Sequence, residues 1–179
     1  ALANRVLDEL RRMNRWTAMH FEFDLSVPAA ITTTGDMLAG SAIITNIPST
    51  AAFTAPNSWA VSGQNLLQAS RIASVDSATQ VTLTMENTNT DNVVGSDFIF
   101  GQDTFALPSG FDWYENRTMW DRTNRWELLG PTSPQYNQWQ LSGIIATGPR
   151  RYFRQLGPFN DKFRIWPPPF EITLPLQLV

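Results

Sequence analysis

Residues 148–169 read GPRRYFRQLGPFNDKFRIWPPP, and their side chains alternate as those of a two-stranded turn do. Over Arg150–Leu156, Tyr152 and Arg154 fall on one side while Arg151, Phe153 and Gln155 fall on the other. Gly157-Pro158 with Asn160-Asp161 supplies the reversal, because these residue types accept the backbone angles of a tight connection. Phe163-Arg164-Ile165-Trp166 is the return strand, with Phe163 and Ile165 on one face. Three prolines, 167–169, then stop the ladder, since proline has no N–H to donate.

Upstream, two periodicities follow each other. In Ala1–Arg15, Leu2, Val6, Leu10 and Met13 make one apolar stripe, with Leu7 beside it, and this predicts an amphipathic helix. Arg5, Arg11, Arg12 and Arg15 lie largely off the stripe, the last three where the helix dipole favours cations. Trp16–Val27 then switches to period two, with Phe21, Phe23, Leu25 and Val27 alternating with polar residues as in a half-buried strand. His20 begins it and is read as structural, because no partner motif accompanies it.

Residues 29–96 are rich in Ser, Thr, Ala and Asn and carry little charge. Short β-prone runs at Ala42–Ile47, Trp59–Val61, Arg71–Val75 and Gln80–Met85 predict a small all-β module, with Asp76-Ser77-Ala78 as a hairpin connection. Gln102–Leu107 reads as a strand paired with Phe21–Val27, which makes the module an insertion at the tip of that hairpin. Asp112–Leu129 interleaves Trp113, Tyr114, Trp120 and Trp126 with Arg117, Arg122 and Arg125, and reads as one or two strands near a subunit boundary. Pro134–Leu141 is a short helix started by Ser133, and Glu171–Val179 a last strand with Ile172, Leu174, Leu176 and Leu178 on one side.

The expected fold is therefore α+β and β-rich: an N-terminal helix packed on a small antiparallel sheet or sandwich. Residues 1–28 and 97–179 form its core and 29–96 the inserted all-β module.

Charge is unevenly placed along the 179 residues. Residues 1–15 hold four basic and two acidic side chains, 16–116 one basic and ten acidic, and 117–179 eight basic and four acidic. A bipolar chain suits docking onto a partner of matching sign, including another copy. Twelve of the thirteen cations are Arg, which is favoured at protein interfaces where Lys is depleted. The interface candidates are Arg5, Arg11, Arg12, Arg15, Trp113, Trp120, Arg122, Trp126, Arg150, Arg151, Tyr152, Arg154 and Trp166. Arg150, Arg151, Tyr152 and Arg154 also interleave cation and aromatic as single-strand binders do, but the acidic central block weighs against nucleic acid as their target.

The absence of cysteine excludes disulfides, thiolate metal sites and cysteine nucleophiles. No phosphate-binding glycine loop, zinc-ligand cluster, nucleophile elbow or EF-hand spacing occurs, so no catalysis, cofactor or metal is expected. Asp112 with Glu115, or Asp121 with Glu127, could be paired as glycosidase carboxylates, but pairs this near in sequence occur by chance in most chains and carry little weight. No apolar run reaches membrane-span length, and no secretory signal or other targeting segment is read at the N-terminus.

Three words recur in order: Leu107-Pro108-Ser109-Gly110-Phe111, Gly148-Pro149-Arg150-Arg151-Tyr152 and Ile165-Trp166-Pro167-Pro168-Pro169. With the helix before Trp16, they resemble the head-to-tail adaptor proteins (head completion or neck connectors) of tailed bacteriophages. Gly40-Ser41 to Thr45, Val61-Ser62-Gly63 and Ile72 to Thr84 resemble Ser/Thr-rich modules inserted in phage virion proteins. In that family the turn carrying the module is usually short, so its length here is a departure. The resemblance implies a structural virion protein that forms a homo-oligomeric ring, roughly twelvefold, under the portal protein ring. It would extend the DNA channel, meet a downstream tail or nozzle protein, and have double-stranded DNA only as passing cargo. Its place would be the head-to-tail interface of the virion, after assembly in the bacterial host cytoplasm, with no membrane partner. The alternative is a glycan-binding module of a phage tail or fibre protein, using Trp and Asn.

Overall fold

The computed structural model describes residues 23–67, 70–108, 119–123, 125–130, 152–156, 162–170 and 176–178. Every regular element among them is a β-strand, and every strand pairing is antiparallel. In order these are β1 (Leu25–Val27), β2 (Ile31–Met37), β3 (Ile43–Thr45), β4 (Trp59–Gly63), β5 (Ile72–Ser77), β6 (Gln80–Leu83) and β7 (Val93–Gln102). There follow β8 (Thr104–Ala106), β9 (Trp120–Asp121), β10 (Trp126–Glu127), β11 (Tyr152–Leu156), β12 (Lys162–Trp166) and β13 (Leu176–Leu178).

This corrects the α+β expectation: the described chain is all-β. The helices expected at Ala1–Arg15 and Pro134–Leu141, the lone His20 and the reversal at 157–161 lie outside the described residues. Among the described residues the physical reason is pairing: each element satisfies its backbone groups against another strand.

Six strands form one sheet in the order β4-β7-β2-β3-β6-β5. Its two outer strands meet again at a bridge, Ala60↔Arg71, where Val61 N–H also donates to the Ser70 carbonyl at 2.9 Å. The sheet thereby closes on itself as a small barrel and hides the edges that an open sheet would present. Met37, Ile44, Ile47, Phe53, Trp59, Val61, Ile72, Val81, Leu83, Phe98 and Phe100 fill its interior. Phe53 packs edge-on to Trp59, ring centres 5.3 Å apart, and lies 4.7 Å from Phe100. Phe98 is seated over two glycines: a Cβ on Gly63 would meet its ring at 2.6 Å, and one on Gly35 would come within 3.5 Å of it.

Turns at the barrel ends are held by side chains. The buried Asn87 amide donates to the Leu38 and Ser41 carbonyls, both at 2.8 Å, while its oxygen accepts from the Gly40 and Asn89 N–H groups. Asp36 accepts from Gly95 N–H at 2.7 Å and from the Asn46 amide at 2.5 Å. Asp76 accepts from Thr82 and Ser74 hydroxyls at 2.6 and 2.7 Å.

The remaining strands make a sandwich. One sheet runs β1-β13-β9-β10 and the other β11-β12-β8. Val27, Met119 and Leu128 from the first side and Phe105, Phe153, Phe163 and Ile165 from the second share one core. Phe163 and Ile165 are both fully buried, as the period-two reading of 163–166 requires. The pairing expected between Gln102–Leu107 and Phe21–Val27 does not form. β8 instead pairs with β12, Phe105 opposite Phe163 with ring centres 5.6 Å apart, and β1 pairs with β13. β13 lies between β1 and β9, so partners cover both of its edges.

Two stability changes test this packing. Gly63→Ala forces its methyl into the Phe98 ring and is expected to cost about 1–3 kcal/mol, read from the urea midpoint. Asp36 and Asp76 have carboxyls held below their ordinary pKa, Asp36 chiefly by the Gly95 N–H and Asp76 chiefly by the Thr82 hydroxyl. The stability they contribute is present above the unfolded pKa, about pH 4, and is lost as pH falls through the lower folded value. Asp36→Asn and Asp76→Asn should each flatten the acid limb of a stability-against-pH curve while lowering stability at pH 6.

Candidate interaction site

One residue, Asp103, separates β7 of the barrel from β8 of the sandwich. Its side chain is fully buried. Burying a carboxylate costs several kcal/mol unless a charge and hydrogen bonds replace its water. Here Arg71 supplies a two-pronged contact, Nη1 to Oδ1 at 2.6 Å and Nη2 to Oδ2 at 2.5 Å. The Thr104 hydroxyl donates to Oδ1 at 2.8 Å, and Arg164 Nε lies 3.9 Å from the same oxygen. Arg164 Nε also donates to Thr104 Oγ1 at 2.9 Å.

The backbone completes the junction. Asp103 N–H donates to the Ser58 carbonyl just before β4, and the Asp103 carbonyl accepts from Ile165 N–H in β12. Arg71 immediately precedes β5, at the bridge where the barrel closes. A single carboxylate therefore ties the barrel seam to the sandwich. None of these four side-chain partners is near another in sequence except Asp103 and Thr104.

β11 and β12 extend this cluster outward. Their backbone register sets Tyr152 opposite Trp166, and sets Arg154 opposite Arg164 on the face turned away from Phe153, Phe163 and Ile165. Burial, then the charge of Arg71, lowers the pKa of Arg154. The same causes push Arg164 down to about 10, against a partly offsetting pull from Asp103. With the folded value below the unfolded one, this contribution to stability is complete only above the unfolded pKa and lost as pH falls through about 10. At neutral pH the Arg164 charge is thus a cost to the fold. Trp166 Nε1 is buried and has no hydrogen-bond partner among the described residues.

A second feature is the ribbon of β9 and β10, in which Trp126 faces Asp121 and Glu127 faces Trp120. Arg125 in its turn adopts a left-handed φ of 59°. Trp120 is 45% and Trp126 37% exposed, unusual for residues this large and apolar. Arg122 lies 3.7 Å from Asp24 in an exposed ion pair.

Of the thirteen interface candidates, Arg5, Arg11, Arg12, Arg15, Trp113, Arg150 and Arg151 lie outside the described residues. Trp120, Arg122 and Trp126 share the ribbon, while Tyr152, Arg154 and Trp166 share the hairpin. Arg71, Asp103, Thr104 and Arg164 were not among the candidates. The available signal was Arg71, the one basic residue in 16–116.

Among the described residues, no group of three or more His, Cys, Asp or Glu could hold a metal ion, and no helix is long and apolar enough to cross a membrane. No family model, no curated protein and no solved structure matches the chain.

Asp103→Ala leaves Arg71 buried without its counter-charge and is expected to cost about 3–5 kcal/mol in urea unfolding. Asp24→Ala, which removes a solvent-exposed partner of Arg122, should cost under about 1 kcal/mol. Equal losses from the two would show that the buried junction is not what holds barrel and sandwich together.

Proposed function

We propose that the protein is a structural subunit of a phage particle, acting as a head-to-tail adaptor that joins the portal ring to the tail through repeated protein contacts. The observation that carries this reading is the partly exposed pair Trp120 and Trp126 on a short ribbon that also carries Arg122 in its turn. Interface hot spots are enriched in tryptophan, tyrosine and arginine. The words Leu107-Pro108 and Ile165-Trp166-Pro167-Pro168-Pro169 add the family resemblance, and both lie on strands of the sandwich or directly follow them. The work of such a subunit is mechanical: it needs a rigid body and surfaces that repeat around a rotation axis.

Two readouts test the reading. Antibody-labelled particles imaged in negative stain should carry label at the neck. Purified subunit should co-sediment with portal rings. Trp120→Ala and Trp126→Ala should each weaken that co-sedimentation by about tenfold or more with an unchanged urea midpoint. Label on fibres, with glycan-array binding by a protein that ignores portal rings, would replace the adaptor by a sugar-binding module.

A further inference from the structure

Among the described residues, charge around Asp103 does not balance. The guanidiniums of Arg71, Arg154 and Arg164 all act on one buried carboxylate. Arg71 takes both carboxylate oxygens, and Arg164 reaches one of them only at 3.9 Å. Arg154 makes no hydrogen bond or ion pair among the described residues, yet it stands directly opposite Arg164 in the β11–β12 register. Like charges facing each other across strands repel, more so when partly withdrawn from water. Arg164 is mostly buried and spends its Nε on Thr104, so Arg154, opposite it on the same face, is the guanidinium with a planar fork left to offer a carboxylate.

The barrel carries the opposite excess. Between Ile31 and Gln102 the acidic residues are Asp36, Asp76, Glu86, Asp91 and Asp97, and the one cation, Arg71, is buried in its own pair. Asp36 and Asp76 are already engaged by the barrel's own donors. Asp91 and Asp97 are exposed and flank Val94, which is 79% exposed, at the start of β7. An apolar residue between two carboxylates offers both a contact and two charges to a basic surface.

We infer that the Arg154–Arg164 pair receives the Asp91–Asp97 edge of the barrel of a second copy of this chain. The contact is head-to-tail: each copy presents one basic socket and one acidic edge, so repetition gives a ring if the rotation closes. This inference rests on the assembly reading above and names the surfaces that assembly uses.

Mass photometry of the full chain from about 50 to 500 mM salt tests it. The wild type should self-associate and lose that association at least tenfold across the range, roughly as screened charges do. Arg154→Glu removes the socket, and the Asp91→Asn/Asp97→Asn double variant removes the edge. Either should reduce association by about tenfold or more, with circular dichroism melting curves showing both folded. Mixed, the two variants should form a one-to-one pair that grows no further, because each supplies the surface the other lacks. Association that both variants retain overturns this contact and leaves the adaptor reading standing, since that reading is scored by neck labelling. A wild type monomeric at every concentration also overturns it. Binding of a DNA duplex that Arg154→Glu abolishes, with self-association untouched, would assign the socket to phosphate instead.

Discussion

The structure depends on a carboxylate that has nowhere to hide from its own charge. Asp103 sits where the chain leaves the barrel through β7 and enters the sandwich through β8, with room for one residue between them. Arg71 is brought to it only if the barrel closes, because Arg71 belongs to the bridge that joins β4 to β5. Arg164 is brought to it only if β12 pairs with β8. A misassembled barrel or a slipped hairpin would strand a buried charge, at a cost that exceeds what most single contacts return. The cluster thus favours one arrangement over its competitors, whatever its net contribution to stability.

How much of this could be seen beforehand follows from range. The hairpin of β11 and β12 was legible because its alternation is local: Phe153, Phe163 and Ile165 recur at period two, and prolines mark the end. β5 and β6 were legible for the same reason, around a connection at residues 78–79. The two strands that organise the barrel were not. β2 reads ITTTGDM, polar and interrupted by a glycine, and β7 contains Gly95 and Asp97, so neither shows a clean apolar alternation. Their strand character comes from pairing with each other over Ile31↔Phe100 to Gly35↔Ser96, which is tertiary context rather than propensity. The α+β expectation placed a helix on the sheet built from 1–28 and 97–179, but the described residues of those segments pair only with other strands, which periodicity in the flanking sequence does not announce.

The site divides along the same line. Exposed Trp120 and Trp126 were visible as an aromatic and arginine-rich run, since surface composition is a local property. The Arg71–Asp103 pair was not, because its members are 32 positions apart and belong to no motif. The clue was negative: in a block with ten acidic side chains a solitary arginine has to be somewhere particular. Buried ionic pairs leave this kind of trace in sequence, an isolated charge in a neutral or oppositely charged setting, rather than a spacing.

A second joint reinforces the first and gives the ionic cluster a mechanical meaning. After β12 the chain crosses β7 so closely that a Cβ on Gly101 would lie 3.2 Å from the Pro169 carbonyl carbon and from the Phe170 ring. Gly101 is two residues before Asp103, so both joints grip the same end of β7. The β11–β12 hairpin is therefore joined to the end of β7, the strand that carries Asp97 in its other half, and through Arg71 and Ser58 to the barrel seam as well. β7 is itself held by a hydrogen-bonded ladder on both sides, to β2 and to β4. The strand direction is the stiff one in a β structure, because shear along the strands must break many ladder bonds together, whereas two bodies tied by a flexible linker would simply swing apart.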